Sequence, residues 1–135
     1  MLRICICDDR SEDNKILQEY AEAFSKEHPE FPLKADAFTS PYELLQAVGD
    51  RGGYDIYLLD IIMPKLSGIE IAERIRARGE RAEILFLTIS REYAIEAFGV
   101  KASGYLMKPV KRRELEEALL HCIHNLAPKE NPAIL

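Results

Sequence analysis

The sequence predicts an α/β domain: a parallel sheet with helices packed on both faces. Three observations carry this. Short, nearly continuous apolar runs recur along the 135 residues, the pattern of strands buried on both sides. Segments with apolar residues at helical spacing alternate with those runs, as in repeated βα units. Several runs stop at a polar residue of a particular kind, at the strand end where open α/β sheets bind their ligands.

Leu2 to Cys7 reads as a buried strand that ends in the pair Asp8-Asp9. Ser11 is placed to cap the helix that follows, and Glu12 and Asp13 suit its positive end. Ile16, Leu17, Tyr20, Ala23 and Phe24 form its apolar stripe, and His28-Pro29 stops it. Leu33 to Phe38 is a second strand with fewer apolar residues, as befits a sheet edge. Ser40-Pro41-Tyr42-Glu43 reads as a capping box with proline at the first helical position. Leu44, Leu45 and Val48 face inward from that helix, and Gly49 to Gly53 ends it. Ile56 to Leu59 is a third strand closing on Asp60, followed by Met63-Pro64 and a loop to Gly68. Ile69, Ile71, Ala72 and Ile75 mark a helix over 68–78. Ile84 to Leu87 is a fourth strand ending at Thr88. Tyr93 to Phe98 forms a short helix with Gly99 placed to terminate it, and Tyr93, Ile95, Phe98 and Val100 are expected in the core, with a share in dimerisation. Ser103 to Met107 is a fifth strand ending at Lys108-Pro109, and Val110 to Leu126 a last helix. Right-handed crossovers then place helices on both sides of the sheet.

Composition bounds the function. The chain is 47% hydrophobic and 30% charged, with a formal net charge of -5. A domain of this size buries about two-thirds of its unfolded surface and folds without disulfide or structural metal. Net acidity argues against a grip on nucleic acid by this domain itself, which needs clustered Lys and Arg. No apolar run is long enough to span a membrane or to serve as a signal peptide, which suggests the cytoplasm. Three cysteines without framework spacing fit that compartment. Cys5 and Cys7 share one strand face, while His121 and His124 lie on a distant helix with Cys122. Core packing therefore outweighs a soft-metal site. Lys111-Arg112-Arg113 reads as a solvated helix turn or a partner contact.

In a parallel sheet all strand carboxyl ends lie on one edge, so Asp8, Asp9, Asp60, Thr88 and Lys108 meet in one cleft. Grouped carboxylates repel, and a hard divalent cation with oxygen ligands relieves that. Lys108 and the Thr88 hydroxyl suit the remaining oxygens of a phosphoryl group, whose transfer demands positioning and charge neutralisation. Asp60 is then a carboxylate nucleophile.

With D-D at 8–9, L-L-D-I-I-M-P-K-L-S-G at 58–68, L-T at 87–88 and Y-L-M-K-P at 105–109, the chain resembles a receiver domain of a two-component response regulator up to about Asn125. The resemblance implies a flavodoxin-like (βα)5 three-layer sandwich with strand order 2-1-3-4-5. It implies a phosphoacceptor signalling domain rather than an enzyme, with Asp60 phosphorylated by a sensor histidine kinase. Asp9, Asp60 and the Ile62 carbonyl would bind Mg²⁺ or Mn²⁺, with Asp8 acting mostly through water. Lys108 would hold the phosphoryl group, and Thr88 and Tyr105 would form the switch. The stretch 93–109 is similar to receivers that carry a LytTR-type DNA-binding domain. Residues 1–125 are then the receiver, with 126–135 a linker or tail leading to an effector absent from this chain. DNA would be reached only through that effector, in a homodimer formed on phosphorylation. Two other classes are disfavoured. A haloacid dehalogenase-type phosphohydrolase places D-x-D at the end of its first strand, whereas here Asp9 precedes Arg10-Ser11. A phosphorylation-independent binding module has no use for the intact set of Asp8, Asp9, Asp60, Thr88 and Lys108.

Overall fold

A computed structural model describes residues 1–127; the expected tail from 128 onward lies outside the described residues. Five strands alternate with five helices: β1 (Leu2–Cys7), α1 (Ser11–Glu27), β2 (Leu33–Phe38), α2 (Pro41–Arg51), β3 (Ile56–Asp60), α3 (Gly68–Ala77), β4 (Glu83–Thr88), α4 (Ala94–Gly99), β5 (Gly104–Met107) and α5 (Arg112–Leu126). All pairings are parallel, in the expected order β2-β1-β3-β4-β5. Order and register set the site: Asp60 stands opposite Leu87, and Thr88 opposite Met107, so the ends of β3, β4 and β5 reach the same edge.

Successive strand residues point to opposite faces, which divides the core in two. Cys5, Cys7, Tyr57, Leu59, Ile84 and Phe86 pack against Leu44 and Val48 of α2, Ile71 and Ile75 of α3, and Ala97 of α4. Ile4, Ile6, Ile56, Leu58, Leu85 and Leu87 pack against Leu17 and Phe24 of α1 and Leu115, Leu119 and Cys122 of α5. β3 is buried along its whole length, the reason its sequence is apolar without alternation. All three cysteines are free and buried, the C-x-C pair on one face and Cys122 on the other.

The helix ends depart from the sequence reading in several places; at α2 only the Ser40 half of the expected capping box forms, and α5 starts at Arg112 rather than Val110. Ser11 is the first residue of α1 rather than its cap; Arg10 occupies the cap position without a side-chain bond. The Asp8 carboxylate instead accepts from the Arg10 backbone N–H at 2.9 Å. Gly99 belongs to the last turn of α4, and the left-handed residue beyond it is Lys101, at φ 58. Ile95 and Phe98 of α4 are 83% and 86% exposed, whereas Val100 and Ala97 are buried. Because α4 has six residues and one strip of contact, those side chains fall on its outer side. A capping box absent from the sequence reading starts α3: Ser67 accepts from Glu70 N–H while Glu70 accepts from Ser67 N–H. Arg76 ties the loop after α3 to the loop after α4, donating to the carbonyls of Glu80, Ala82, Val100 and Lys101.

The loop from Asp60 to Gly68 closes tightly under β3. Gly68 N–H donates to the Ile61 carbonyl at 3.0 Å. A Cβ at Gly68 would lie 2.2 Å from the Asp60 carbonyl oxygen, and that neighbour is backbone. Gly68→Ala should therefore displace the loop and cost about 1–3 kcal/mol, read as a lower midpoint in urea unfolding. An unchanged midpoint would show that the loop yields freely.

Candidate functional site

β1 delivers Asp8 and Asp9, β3 Asp60, β4 Thr88, and the residue after β5 Lys108 to one end of the sheet. Asp8, Asp60 and Thr88 are buried, whereas Asp9 is exposed. Carboxylate oxygens of Asp8, Asp9 and Asp60 all lie within 4.8 Å of one another. The Lys108 ammonium donates to Asp8 Oδ2 at 2.6 Å and sits 3.4 Å from Asp60 Oδ2. Of the five residues expected to share a cleft, Asp8, Asp9, Asp60 and Lys108 stand close together, and Thr88 ends the neighbouring strand.

Each group is held from behind. Asp8 is bound at both oxygens, by Arg10 N–H and by Lys108. Asn14 Nδ2 donates to the backbone carbonyls of Asp8 and Phe38, fastening α1 across the ends of β1 and β2. Asp60 Oδ1 receives a long bond, 3.4 Å, from Ile62 N–H. Cys7, which flanks Asp8, and Met63, which follows Asp60 in the chain, are both buried with their sulfurs 4.0 Å apart.

Burial has an electrostatic consequence. Desolvation pushes the Asp60 carboxyl up to about 6; the Lys108 charge opposes this and the Asp8 charge adds to it. Desolvation also acts to lower Lys108, but its hydrogen bond to Asp8 and the charge of Asp60 prevail and raise it. Metal-free, the cleft thus gathers more negative charge than Lys108 offsets. A set of hard oxygen donors, two of them buried and carrying excess charge, fits Mg²⁺ well. Asp8, Asp9 and Asp60 are the side chains that would hold such an ion.

On the adjoining side, Thr88 Oγ1 accepts from Ser90 N–H at 3.3 Å. The Tyr105 hydroxyl donates to the Ser90 carbonyl at 2.6 Å. The two residues expected to form a switch therefore grip the same peptide residue from opposite sides.

The sequence alone marks Asp13 only as an acid suited to a helix start. Its Oδ2 accepts from Lys108 at 3.1 Å. The available signal was its place in the first turn of a helix leaving the site edge. Sequence spacing does not show where a long lysine side chain from β5 will end.

An acidic cleft at the carboxyl edge of a 2-1-3-4-5 sheet, with two buried carboxylates facing a lysine, has the form of a phosphoacceptor-type signalling domain. The response regulator receiver domain profile matches residues 4–120. The chain belongs to that family, the receiver domains of two-component response regulators. It is 49% identical over 65 residues to the positive alginate biosynthesis regulatory protein of Pseudomonas aeruginosa, covering 48% of this chain and 26% of that one. It is 32% identical over 80 residues to the transcriptional regulatory protein LytR of Staphylococcus aureus, covering 59% and 32%. It thus spans about a third or less of the length of either relative. Response regulator TrrA of Thermotoga maritima, solved in complex with Mg²⁺–BeF, superposes with a TM-score of 0.76 at 28% identity, covering 90% of this chain and 99% of that one. Among the described residues no helix is long and apolar enough to cross a membrane.

The raised Asp60 pKa has a testable sign. The folded state holds the Asp60 proton more tightly than the unfolded chain, so metal-free stability falls as pH rises from about 4 to about 6 and stays lower above. The full effect is on the order of 3 kcal/mol. Asp60→Asn should therefore stabilise the protein in chelator at pH 7.5 by ~2 kcal/mol, with the gain shrinking below pH 6. Urea unfolding across pH checks this; a gain independent of pH would refute it.

Proposed function

We propose that this domain accepts a phosphoryl group on Asp60 from a phosphohistidine of a sensor kinase and thereby changes its output surface. The observation that carries the reading is the Lys108 ammonium, 3.4 Å from a buried Asp60 that stands beside two further carboxylates. An Asp60 oxygen attacks phosphorus, the P–N bond of the phosphohistidine breaks, and its electron pair leaves with the imidazole. Lys108 takes one phosphoryl oxygen and the Thr88 hydroxyl donates to another. Mg²⁺ held by Asp8, Asp9, Asp60 and the Ile62 carbonyl would neutralise charge and orient the incoming group. Transfer to water later restores the carboxylate, so the chemistry is confined to the domain's own phosphorylation and dephosphorylation.

The switch follows from the shared hold on Ser90. Drawing the Thr88 hydroxyl toward the phosphoryl group withdraws the acceptor of Ser90 N–H. The loop then loses one of its two anchors, and Tyr105 can change position. α4, β5 and α5 would present a different surface, and the exposed Ile95 and Phe98 of α4 suit burial in a homodimer. Names of the relatives support transcription as the output, and a LytTR-type DNA-binding effector is the reader proposed for it. A cytoplasmic location accords with a kinase partner.

Incubation with acetyl phosphate and Mg²⁺ should add about 80 Da to the wild type, as for an aspartyl phosphate. The adduct should be absent from Asp60→Asn and from chelator-treated protein. An adduct that survives in Asp60→Asn would place the acceptor elsewhere. The Ile62 side chain, on a residue 42% exposed, would border the same group and offers no polar atom to orient water. Ile62→Asn should change the phosphoryl lifetime several-fold, measured by loss of the adduct after acetyl phosphate is removed. An unaltered rate would rule out a role for this side chain.

A further inference from the structure

We propose that Asp13 is a positioning residue that holds the Lys108 ammonium toward α1, away from the phosphoryl position on Asp60, and so sets how readily Asp60 keeps a phosphoryl group. This rests on the phosphoacceptor reading above and adds a residue to it. An ammonium has three N–H donors. Two are engaged, by Asp8 Oδ2 at 2.6 Å and Asp13 Oδ2 at 3.1 Å, while Asp60 Oδ2, at 3.4 Å, receives an ion pair without a hydrogen bond. A phosphoryl group on Asp60 presents oxygens for the third N–H, and drawing the ammonium closer than its present 3.4 Å stretches its hold on one of the two present partners.

The two partners differ in what yielding costs. The Asp8 side chain is 1% exposed, and water cannot replace the lysine there. The Asp13 side chain is 30% exposed, so water can take over the released oxygen. That same oxygen lies 3.7 Å from Arg10 Nε, which leaves a cation beside it after Lys108 departs. Asp13 is thus the partner that gives way. While it holds, it draws the ammonium from the site, and its charge repels an incoming phosphoryl group. Both effects oppose the phosphorylated form.

The alternative is that Asp13 only complements the positive end of α1. Glu12 provides the control, since it lies in the same first turn and pairs with Arg10 at 3.7 Å without touching Lys108. The test is calorimetric titration with beryllofluoride at saturating Mg²⁺ and fixed ionic strength. Asp13→Asn should bind about two- to fivefold more tightly than wild type, the range for a partly exposed ion pair. Asp13→Glu, which keeps the charge, should stay near wild type, and so should Glu12→Gln. Nitrogen NMR of the metal-free protein should show the Lys108 ammonium signal shifted in Asp13→Asn and not in Glu12→Gln. If Asp13→Asn does not fold, Asp13→Gln, a stronger helix former, makes the same comparison. Equal or weaker binding by the neutral variant, or equal tightening in Glu12→Gln, would overturn the role of Asp13 while leaving Asp60 as acceptor. Failure of the wild type to bind beryllofluoride would overturn the phosphoacceptor reading and this inference with it.

Discussion

Lys108 faces Asp8, Asp13 and Asp60 at once, and the architecture of the carboxyl edge follows from that crowding. Among the described residues, the ion pairs to Asp8 and Asp60 come from Lys108 alone. A buried carboxylate is costly unless it is paired and hydrogen-bonded. Asp8 meets that condition through Lys108 and the Arg10 N–H, and in doing so it also fixes the start of α1. Asp60 meets it only weakly, through Lys108 and the Ile62 N–H both at 3.4 Å, and desolvation prevails, so its carboxyl resists ionisation. The fold thus tolerates a poorly satisfied group at the position where, on the proposed reading, a phosphoryl group and a cation would satisfy it. Such a site gives up stability in the empty state for affinity in the loaded one.

The side of the molecule that would report loading is also the more weakly held. α4 has a single buried residue, Ala97, and turns Ile95 and Phe98 to solvent. Arg76 secures the backbone just beyond its far end through the carbonyls of Val100 and Lys101. The approach to α4 is secured at Ser90, by Thr88 on the amide and Tyr105 on the carbonyl. Elements with few buried contacts open most easily. On the proposed reading, a change at Thr88 would reach α4 through one peptide residue, Ser90.

Much of this was legible in the sequence. The unbroken apolar run of β3 required burial on both faces, and the alternation of apolar runs with helical stripes required a parallel sheet. Given a parallel sheet, the carboxyl ends share an edge, so Asp8, Asp9, Asp60, Thr88 and Lys108 could be assembled from their strand-end positions. The motif L-L-D-I-I-M-P-K-L-S-G with Y-L-M-K-P named the family, and with it the strand order. Ser67-x-x-Glu70 was readable too, as a capping-box spacing. α4 misled because its apolar residues satisfy a helical period whether or not anything lies against them; periodicity reports a stripe, not its partner.

What the sequence by itself determined is the set of elements, the order of chemistry-bearing strand ends and the edge on which they meet. These follow from local periodicity and from the geometry of parallel strands, both of which act along the chain. What only the tertiary structure decided is the pairing of side chains across that edge. Lys108 reaches Asp13 from 95 residues away, and Tyr105 reaches the Ser90 carbonyl across a β4–β5 crossover. Long side chains settle by competition among neighbours that no local pattern brings together, so their partners appear only when the sheet and α1 are assembled.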